Sequence, residues 1–143
     1  MREKELSNLT NSPERRFTLP KSHILRGRRN FEELFSGSSY INSQNVSLRY
    51  TTSSNADENL LVGFLAPKKI GKAVQRIKTK RLLREAYRLN QHIITELPIT
   101  DEIGLHYVFM AKRANLTFET VQDEVIFLME QMRDRLLSKK SPI

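Results

Sequence analysis

The sequence predicts a single α+β domain in which helices pack on a small, mostly antiparallel sheet. Two observations lead to this fold class. Segments with the residue pattern of strands precede a long basic helix, and one more strand and a long amphipathic helix follow it. A length of 143 residues with 38% hydrophobic content is enough for one modest core. The predicted order of the elements is αβββαβα.

The two ends of the chain are expected to lie outside this domain. Residues 1–18 are polar, mixed in charge and without clear periodicity, which predicts a flexible extension. We assign residues 19–138 to the domain and residues 139–143 to a C-terminal tail. No internal repeat or low-complexity block suggests a second domain.

The first predicted helix is short and begins at Asn30. Asn30 can cap a helix that has Glu33 three positions later, and Gly37 can end it after about two turns. The apolar residues on one face of this helix are Phe31, Leu34 and Phe35.

Three segments have the composition of strands. Apolar and polar residues alternate in residues 46–50, as on a half-buried strand. The apolar run of residues 60–66 predicts a central strand covered on both faces, and the polar spacer before it favours a hairpin between these two strands. Residues 105–111 form another β-rich run after Gly104.

A long amphipathic helix is predicted from Thr117 onwards. Acidic residues lie near its start and basic residues near its end, as the helix dipole favours. Its apolar stripe consists of Val121, Val125, Leu128, Met129, Met132 and Leu136. This helix and the basic helix are expected to share the task of covering the sheet.

The charge of the chain is concentrated in residues 68–88. The net charge of +8 arises there, because this segment has nine basic residues and one acidic residue, and the rest of the chain has fifteen of each. A concentrated patch on a neutral body suits a polyanion, and nucleic acid is the leading class of partner.

Residues 75–97 fit a helix with two different sides. Apolar residues cover one side, and the other carries Arg81 and a stripe of cations spaced by four, namely Arg76, Lys80, Arg84 and Arg88. Like charges at this spacing repel by roughly 0.2 to 0.5 kcal/mol per pair, which a bound polyanion would relieve. A merely solvated face and a membrane-surface helix are the alternatives. The lack of interleaved acids disfavours the first, and the need for the apolar side to cover the sheet disfavours the second.

Several classes of protein are not expected. The absence of cysteine excludes disulfides and thiolate metal sites, and no apolar run approaches the roughly 18 to 20 residues of a membrane span. We therefore expect a cytoplasmic protein without a membrane partner. The three histidines, His23, His92 and His106, have no metal-site or nucleophile spacing, and no phosphate-binding loop motif is present. We predict no catalytic and no metal-binding side chain.

One segment resembles the signature of the protein subunit of bacterial ribonuclease P. That signature runs Arg-Asn-Arg, one residue, Lys-Arg, two residues, Arg-Glu, and the segment here is GKAVQRIKTKRLLREAYR. Lys78 replaces the second Arg and Ile77 stands in place of Asn, whereas the residues that match are Arg76, Lys80, Arg81, Arg84 and Glu85. The resemblance extends over about residues 19–138, through LRGRRNFEELFSG, LLVGFLAPKKIGKAV and HYVFMAKRANLTFETVQDEV.

The resemblance implies a fold and a function. The fold would contain a left-handed βαβ crossover. The protein would be the RNA-binding accessory subunit of an endoribonuclease, which removes the 5′ leader from precursor tRNA. The chemistry would be carried by the catalytic RNA with Mg²⁺ bound mainly by that RNA.

Site roles are carried over from the family residue by residue. Contacts with the catalytic RNA would fall on Lys68, Lys69, Lys72, Arg76, Lys78, Lys80, Arg81, Arg84 and Arg88. Contacts with the single-stranded 5′ leader would fall on Phe31, Phe35 and Arg49, although an i, i+4 pair of phenylalanines is also typical of core packing. Arg49 is predicted on the strand face opposite Leu48. The oligomeric state stays open.

Ile77 has two interpretations. Isoleucine cannot make the hydrogen bonds of asparagine, so either that RNA contact is absent here, or the start of the motif is not helical and Ile77 turns into the core. We favour the second.

Two other functions remain alternatives at this point. A non-enzymatic RNA-binding protein, such as a ribosome-associated factor on a related fold, would also use a basic helix. A protein nuclease that uses its own acids is disfavoured, because adjacent Asp101 and Glu102 would point in different directions on a strand and no carboxylate cluster is apparent.

Overall fold

The computed structural model describes residues 18–54 and 60–140 of the chain. Most of the predicted N-terminal extension and the last three residues of the predicted tail lie outside the described residues. The final helix continues past the predicted domain end at residue 138 and ends at Lys140.

The elements follow the predicted order, with one short helix added. The helices are α1 (Arg28–Ser36), α2 (Ala73–Asn90), α3 (His92–Thr95) and α4 (Phe118–Lys140). The strands are β1 (Ser39–Asn42), β2 (Val46–Ser53), β3 (Leu60–Leu65) and β4 (Gly104–Ala111). Short 3₁₀ turns occur at Lys21–His23, Lys68–Ile70 and Pro98–Asp101.

The strands form one four-stranded sheet in the order β1-β2-β4-β3. The β1–β2 and β2–β4 pairs are antiparallel, whereas β3 and β4 are parallel and are joined through α2 and α3. The predicted hairpin between β2 and β3 is therefore wrong, because β4 lies between them. The polar spacer is equally compatible with a chain that skips one position in the sheet.

The prediction that residues 60–66 form a central strand is also wrong, because β3 lies at an edge of the sheet. Its outer side is nevertheless covered. Ile24 forms an isolated parallel bridge with Val62, and the backbone N–H of Leu25 donates to the Val62 carbonyl at 2.7 Å. Coverage by this preceding segment explains why an edge strand has the apolar composition of a central one.

One face of the sheet carries the main core. Helices α2 and α4 pack on it, and their buried residues meet the inward side chains of β2 and β4. Aromatic rings from β3, α2 and β4 form a cluster at its centre, with neighbouring centroids 5.8–6.2 Å apart, and its members are Phe64, Tyr87, Tyr107 and Phe109. The hydroxyls of Tyr87 and Tyr107 hydrogen-bond to each other, and burial raises the pKa of both.

The opposite face is covered only in part. Helix α1 places Leu34 on Val108 and Leu25, and these residues form a second, smaller apolar cluster. The β1–β2 side of this face has no helix of comparable length among the described residues. It is left as the open side of a cleft bounded by α1.

Two predicted helix boundaries need correction. Helix α1 begins at Arg28 after Gly27, so Asn30 lies within the helix and does not cap it; Gly37 follows its last residue, as predicted. The predicted helix over residues 75–97 begins earlier and is divided near Gln91. The side-chain amide of Gln91 donates to the carbonyls of Thr18 and Arg88 at 2.7 and 3.1 Å, which anchors the start of the domain to this junction.

None of the helices within residues 18–54 and 60–140 has both the length and the apolar content needed to cross a membrane.

Glu124 on α4 fixes the turn between β1 and β2. Its carboxylate accepts from the backbone N–H groups of Asn45 and Val46 at 2.7 and 3.0 Å, and from the Asn45 amide at 2.6 Å. Burial by itself would raise the pKa of Glu124, but these hydrogen bonds outweigh it and hold the pKa below its ordinary value. The ionised carboxylate is thus the form that stabilises the fold.

Replacing Glu124 with Gln should lower the free energy of unfolding at neutral pH by about 1 to 2 kcal/mol, because charge-assisted bonds to three donors are weakened. The folded-state pKa is lowered, so this stabilisation is present above the unfolded-state pKa and disappears as the pH falls through the folded-state value. The difference between wild type and Glu124→Gln, measured by urea unfolding, should be largest at neutral pH and should shrink as the pH is lowered into the acid range where the Glu124 carboxylate becomes protonated.

Asp123→Asn is the matched control, since it removes the same charge from the neighbouring, exposed position of α4. Equal destabilisation by the two variants would show that overall charge, and not the turn contact, is responsible.

Candidate nucleic-acid interface

Helix α2 separates an apolar side from a basic side. Thr79, Leu83, Ala86 and Tyr87 are buried against the sheet and α4. The exposed side carries Lys78, Lys80, Arg81 and Arg84. Because the apolar side is fixed on the core, the direction in which the cations project is fixed as well. We call this exposed side, together with Lys68, Lys69 and Lys72 before the helix, the basic surface.

The segment before α2 extends the basic surface. Lys68, Lys69 and Lys72 are exposed, and the first turn of α2 contains no acidic residue. Helix α2 presents the positive end of its dipole here, so the lysines add to an existing positive potential. The lysines repel one another and the positive end of the helix dipole, and a bound anion would offset this repulsion.

Gly71 and Gln75 shape the entry into α2. Gly71 has φ 159° and ψ −172°, a backbone conformation that residues other than glycine rarely adopt. The Gln75 side-chain oxygen accepts from the Lys72 backbone N–H at 3.0 Å, and a Cβ on Gly71 would lie 2.3 Å from that oxygen. A side chain at position 71 would displace this cap.

Two of the predicted cations differ from the exposed ones. Arg88 forms an ion pair with Glu85, in which its Nε donates to Oε1 at 3.0 Å and a terminal nitrogen also contacts the carboxylate. The hydrogen bond from Arg88 lowers the pKa of Glu85. Arg76 is half-buried, and its Nε has no hydrogen-bond partner among the described residues. Within the cation stripe, Lys80 and Arg84 are therefore more exposed to solvent than Arg76 and Arg88.

Ile77 lies on the basic surface and not in the core. Its side chain is 51% exposed, and α2 has already begun at Ala73. The favoured prediction that Ile77 turns inwards is wrong. A helix that starts at Ala73 places position 77 one turn before Arg81, among the cations, because the residues that face the core are Thr79 and Leu83.

The second predicted site lies on the open face of the sheet. Arg49 points away from the main core, as its position opposite Leu48 predicts, and its guanidinium lies 5.3 Å from the centre of the Phe35 ring and 4.7 Å from that of Tyr40. Its Nε is buried without a hydrogen-bond partner in the described structure. The planar cation is therefore within cation–π distance of two aromatic rings.

Tyr40 was not among the predicted site residues. It is 43% exposed and pairs directly with Arg49 across the β1–β2 ladder, so the two side chains share a face. The signal was present in the alternation of residues 39–42, but the partner strand was needed to place Tyr40 beside Arg49.

Phe31 is held differently from Phe35. It packs against the second apolar cluster and lies over Gly63 of β3, where a Cβ would come within 2.9 Å of the Phe31 ring and 3.3 Å of a Val108 methyl. The missing side chain at position 63 makes the space in which Phe31 sits.

A metal centre is not formed by the described part of the chain, where no group of three or more His, Asp or Glu side chains could hold an ion. His23 is exposed, and His92 and His106 are half-buried on different elements.

The sequence matches the family model described as Ribonuclease P over residues 19–133. The chain belongs to the ribonuclease P protein family.

Relatives in this family are named "Ribonuclease P protein component". The protein of Clostridium novyi is 30% identical over 114 residues, which cover 79% of this chain and 96% of the relative. The protein of Bacillus cereus (strain G9842) is 29% identical over 124 residues, 85% of this chain and all of the relative. A shorter match to the protein of Alkaliphilus oremlandii, 32% identical, covers 58% of that protein.

Solved ribonuclease P proteins share the fold. The protein from Thermotoga maritima superimposes with a TM-score of 0.61 at 23% identity, covering 76% of this chain and 96% of that structure. The protein from Staphylococcus aureus gives a TM-score of 0.62 at 17% identity, covering 78% and 96%. Both agree with an α+β fold of a four-stranded sheet and helices.

Gly63→Ala should destabilise the protein by about 1 to 3 kcal/mol, because the added methyl group collides with the Phe31 ring. Urea unfolding of Gly63→Ala, Phe31→Ala and the double variant measures how far the two sites are coupled. We expect a smaller effect of Gly63→Ala in the Phe31→Ala background. Strict additivity would show that Phe31 does not limit the space at position 63.

Proposed function

We propose that this protein is the RNA-binding accessory subunit of a ribonuclease P ribonucleoprotein, which removes the 5′ leader from precursor tRNA. The observation that carries the proposal is the basic surface of α2, fixed on the core of a ribonuclease P family fold. The protein binds the catalytic RNA and the 5′ leader, and thereby broadens substrate use. It is part of an endonuclease without supplying catalytic side chains.

The catalytic RNA is proposed to contact the basic surface. Each phosphate neutralised there releases condensed counterions, so binding is driven by charge and weakened by salt. The contacting residues are Lys68, Lys69, Lys72, Arg76, Lys78, Lys80, Arg81, Arg84 and Arg88. Lys80, Arg81 and Arg84 are the most exposed of the α2 cations that line up along the helix, whereas Arg88 is half-buried and forms an ion pair with Glu85.

The single-stranded 5′ leader is proposed to bind in the cleft between α1 and the open face of the sheet, at Phe31, Phe35 and Arg49. Bases stack on aromatic rings and on guanidinium planes with little sequence preference, at about 1 to 3 kcal/mol per base. Tyr40 adds a further ring beside Arg49. An unspecific stacking surface suits leaders of different sequence.

The chemistry is assigned to the catalytic RNA, with Mg²⁺ bound mainly by that RNA. The protein's own contribution is to bind, orient and neutralise charge.

Two further properties are proposed from family membership. The parallel β3–α2–β4 crossover is left-handed, against the general rule for such units. The protein acts in the cytoplasm, for which the cysteine-free composition is suitable. An experimental structure and localisation of a tagged copy test these two points.

The direct test is a cleavage assay with precursor tRNA. The protein alone should not cleave, whereas its addition to the purified catalytic RNA at low Mg²⁺ should raise the cleavage rate, because it neutralises phosphates that Mg²⁺ otherwise screens. No response of the RNA to the protein would refute the proposal. Copurification with ribosomal RNA instead would favour a ribosome-associated RNA-binding protein.

Leader length separates the two binding surfaces in the same assay. Phe35→Ala should lower stimulation for a substrate with a five-nucleotide leader and leave a substrate with a one-nucleotide leader nearly unaffected. Equal loss for both substrates would place Phe35 in the core only.

The basic surface is tested by salt dependence. Replacing Lys80 and Arg84 with Ala should weaken binding to the catalytic RNA and reduce the slope of log K against log salt by about one unit per lost phosphate contact. Arg133→Ala, which removes a cation that pairs with Asp134 on α4, is the control and should leave the slope unchanged. An unchanged slope in the double variant would show that these cations do not contact RNA.

A further inference from the structure

A cavity of about 470 Å³ lies at the border between the basic surface and the leader cleft. It is open to solvent and is bounded by α2, by the end of β3 and by the segment before α1. Its lining residues are Ile24, Leu25, Arg26, Gly27, Phe31, Phe64, Leu65, Ile77, Lys80, Arg81 and Arg84. Cavities of this volume are within the range of small-ligand sites.

The floor and wall of the cavity are apolar. Phe64 is partly exposed there while its ring stacks on Phe109 at 6.2 Å and contacts Tyr87 at 5.9 Å, so its orientation is fixed from below. Leu65 and Phe31 belong to the other apolar cluster. The cavity therefore opens where the two clusters meet.

Ile77 gives the cavity an apolar wall on the α2 side. Positions 77, 80, 81 and 84 follow the i, i+3, i+4, i+7 pattern of one helix face, so a half-exposed isoleucine begins the row of cations that lines the cavity. An exposed isoleucine in such a row has no role in a site that takes only phosphate. It suits a ligand that has an apolar face and a nearby negative charge.

We propose that this cavity binds one unpaired nucleotide of the catalytic RNA. The base would lie against Ile77, Phe64 and Leu65, and the phosphate groups on either side of the nucleotide would contact Lys80, Arg81 and Arg84. The inference rests on the proposed function and goes beyond it, because it assigns a base-binding role to a surface otherwise expected to contact only the RNA backbone. A base has a flat apolar face that can lie on the apolar residues of the cavity. The phosphates of the adjoining RNA backbone supply the negative charge that the nearby cations of α2 can bind.

Charge complementarity decides for a nucleotide over an apolar side chain of a protein partner. The described residues that line the cavity include four basic residues and no acidic one. An aliphatic side chain would fill the apolar floor but would bring no negative charge to Lys80, Arg81 and Arg84.

The test uses the absence of cysteine from the chain. Ile77→Cys places a single thiol at the cavity wall, and Val74→Cys places one on a 77% exposed residue one turn earlier, outside the cavity lining. The rate of alkylation by N-ethylmaleimide is measured at low salt for both full-length variants. Two probes are compared, the single-stranded RNA pentauridylate and a ribose-phosphate pentamer of the same charge without bases.

We expect saturating pentauridylate to slow alkylation at position 77 by about fivefold or more, and the baseless pentamer to slow it by less than twofold. Position 74 should change by less than twofold with either probe. The same protection at position 77 in a Phe35→Ala background would locate the nucleotide in the cavity and not in the cleft, because Phe35 does not line the cavity.

Equal protection by both pentamers, or equal protection of both thiols, would refute base binding. Ile77→Ala provides a second measurement, since it removes most of the apolar wall without adding a hydrogen-bonding group, and it should lower affinity for pentauridylate about tenfold more than affinity for the baseless pentamer. These outcomes are independent of the salt slope and of cleavage stimulation. If the salt slope and the cleavage stimulation are as expected but position 77 is not protected, this inference is overturned and the proposed function is not.

Discussion

The parallel pairing of β3 with β4 is the constraint on which the rest of the structure depends. Parallel neighbours cannot be joined by a tight turn, so the chain must leave the sheet after Leu65 and return at Gly104. Helix α2 is the main part of that connection. It must bury one side on the sheet beside α4, and its other side therefore faces solvent and carries the exposed cations Lys78, Lys80, Arg81 and Arg84.

The two faces of the sheet have different roles. The face under α2 and α4 holds most of the apolar core, including the aromatic cluster around Tyr87 and Phe109. Within residues 18–54 and 60–140, the other face is covered only by α1 and its neighbours, so the polar and aromatic side chains of β1 and β2 are accessible there. A rigid core on one side thus positions two different surfaces, one dominated by charge and one by flat rings.

The sequence predicts the type of each long element but not its neighbours. Periodicity identifies strands and amphipathic helices because burial selects apolar residues locally. Pairing is decided by distant parts of the chain: β4 inserts between β2 and β3, and Ile24 with Leu25 covers the edge of β3. For the same reason the face of Arg49 could be predicted, whereas its contacts with Tyr40 could not. The orientation of Ile77 was predicted wrongly because it depended on where α2 starts, and cap positions are poorly marked in this sequence.

Both edges of the sheet are protected, which bears on how the protein behaves when no partner is bound. Unpaired strand edges are templates on which copies of a chain can associate. Here the β3 edge is bridged by Ile24, while β1 has only four residues and its Tyr40 carbonyl accepts a hydrogen bond from Arg135 of α4 at 3.3 Å. Strand-to-strand aggregation would have to break these contacts first. The protein can in this way keep Tyr40 and Arg49 accessible on the open face while both edges of the sheet stay covered.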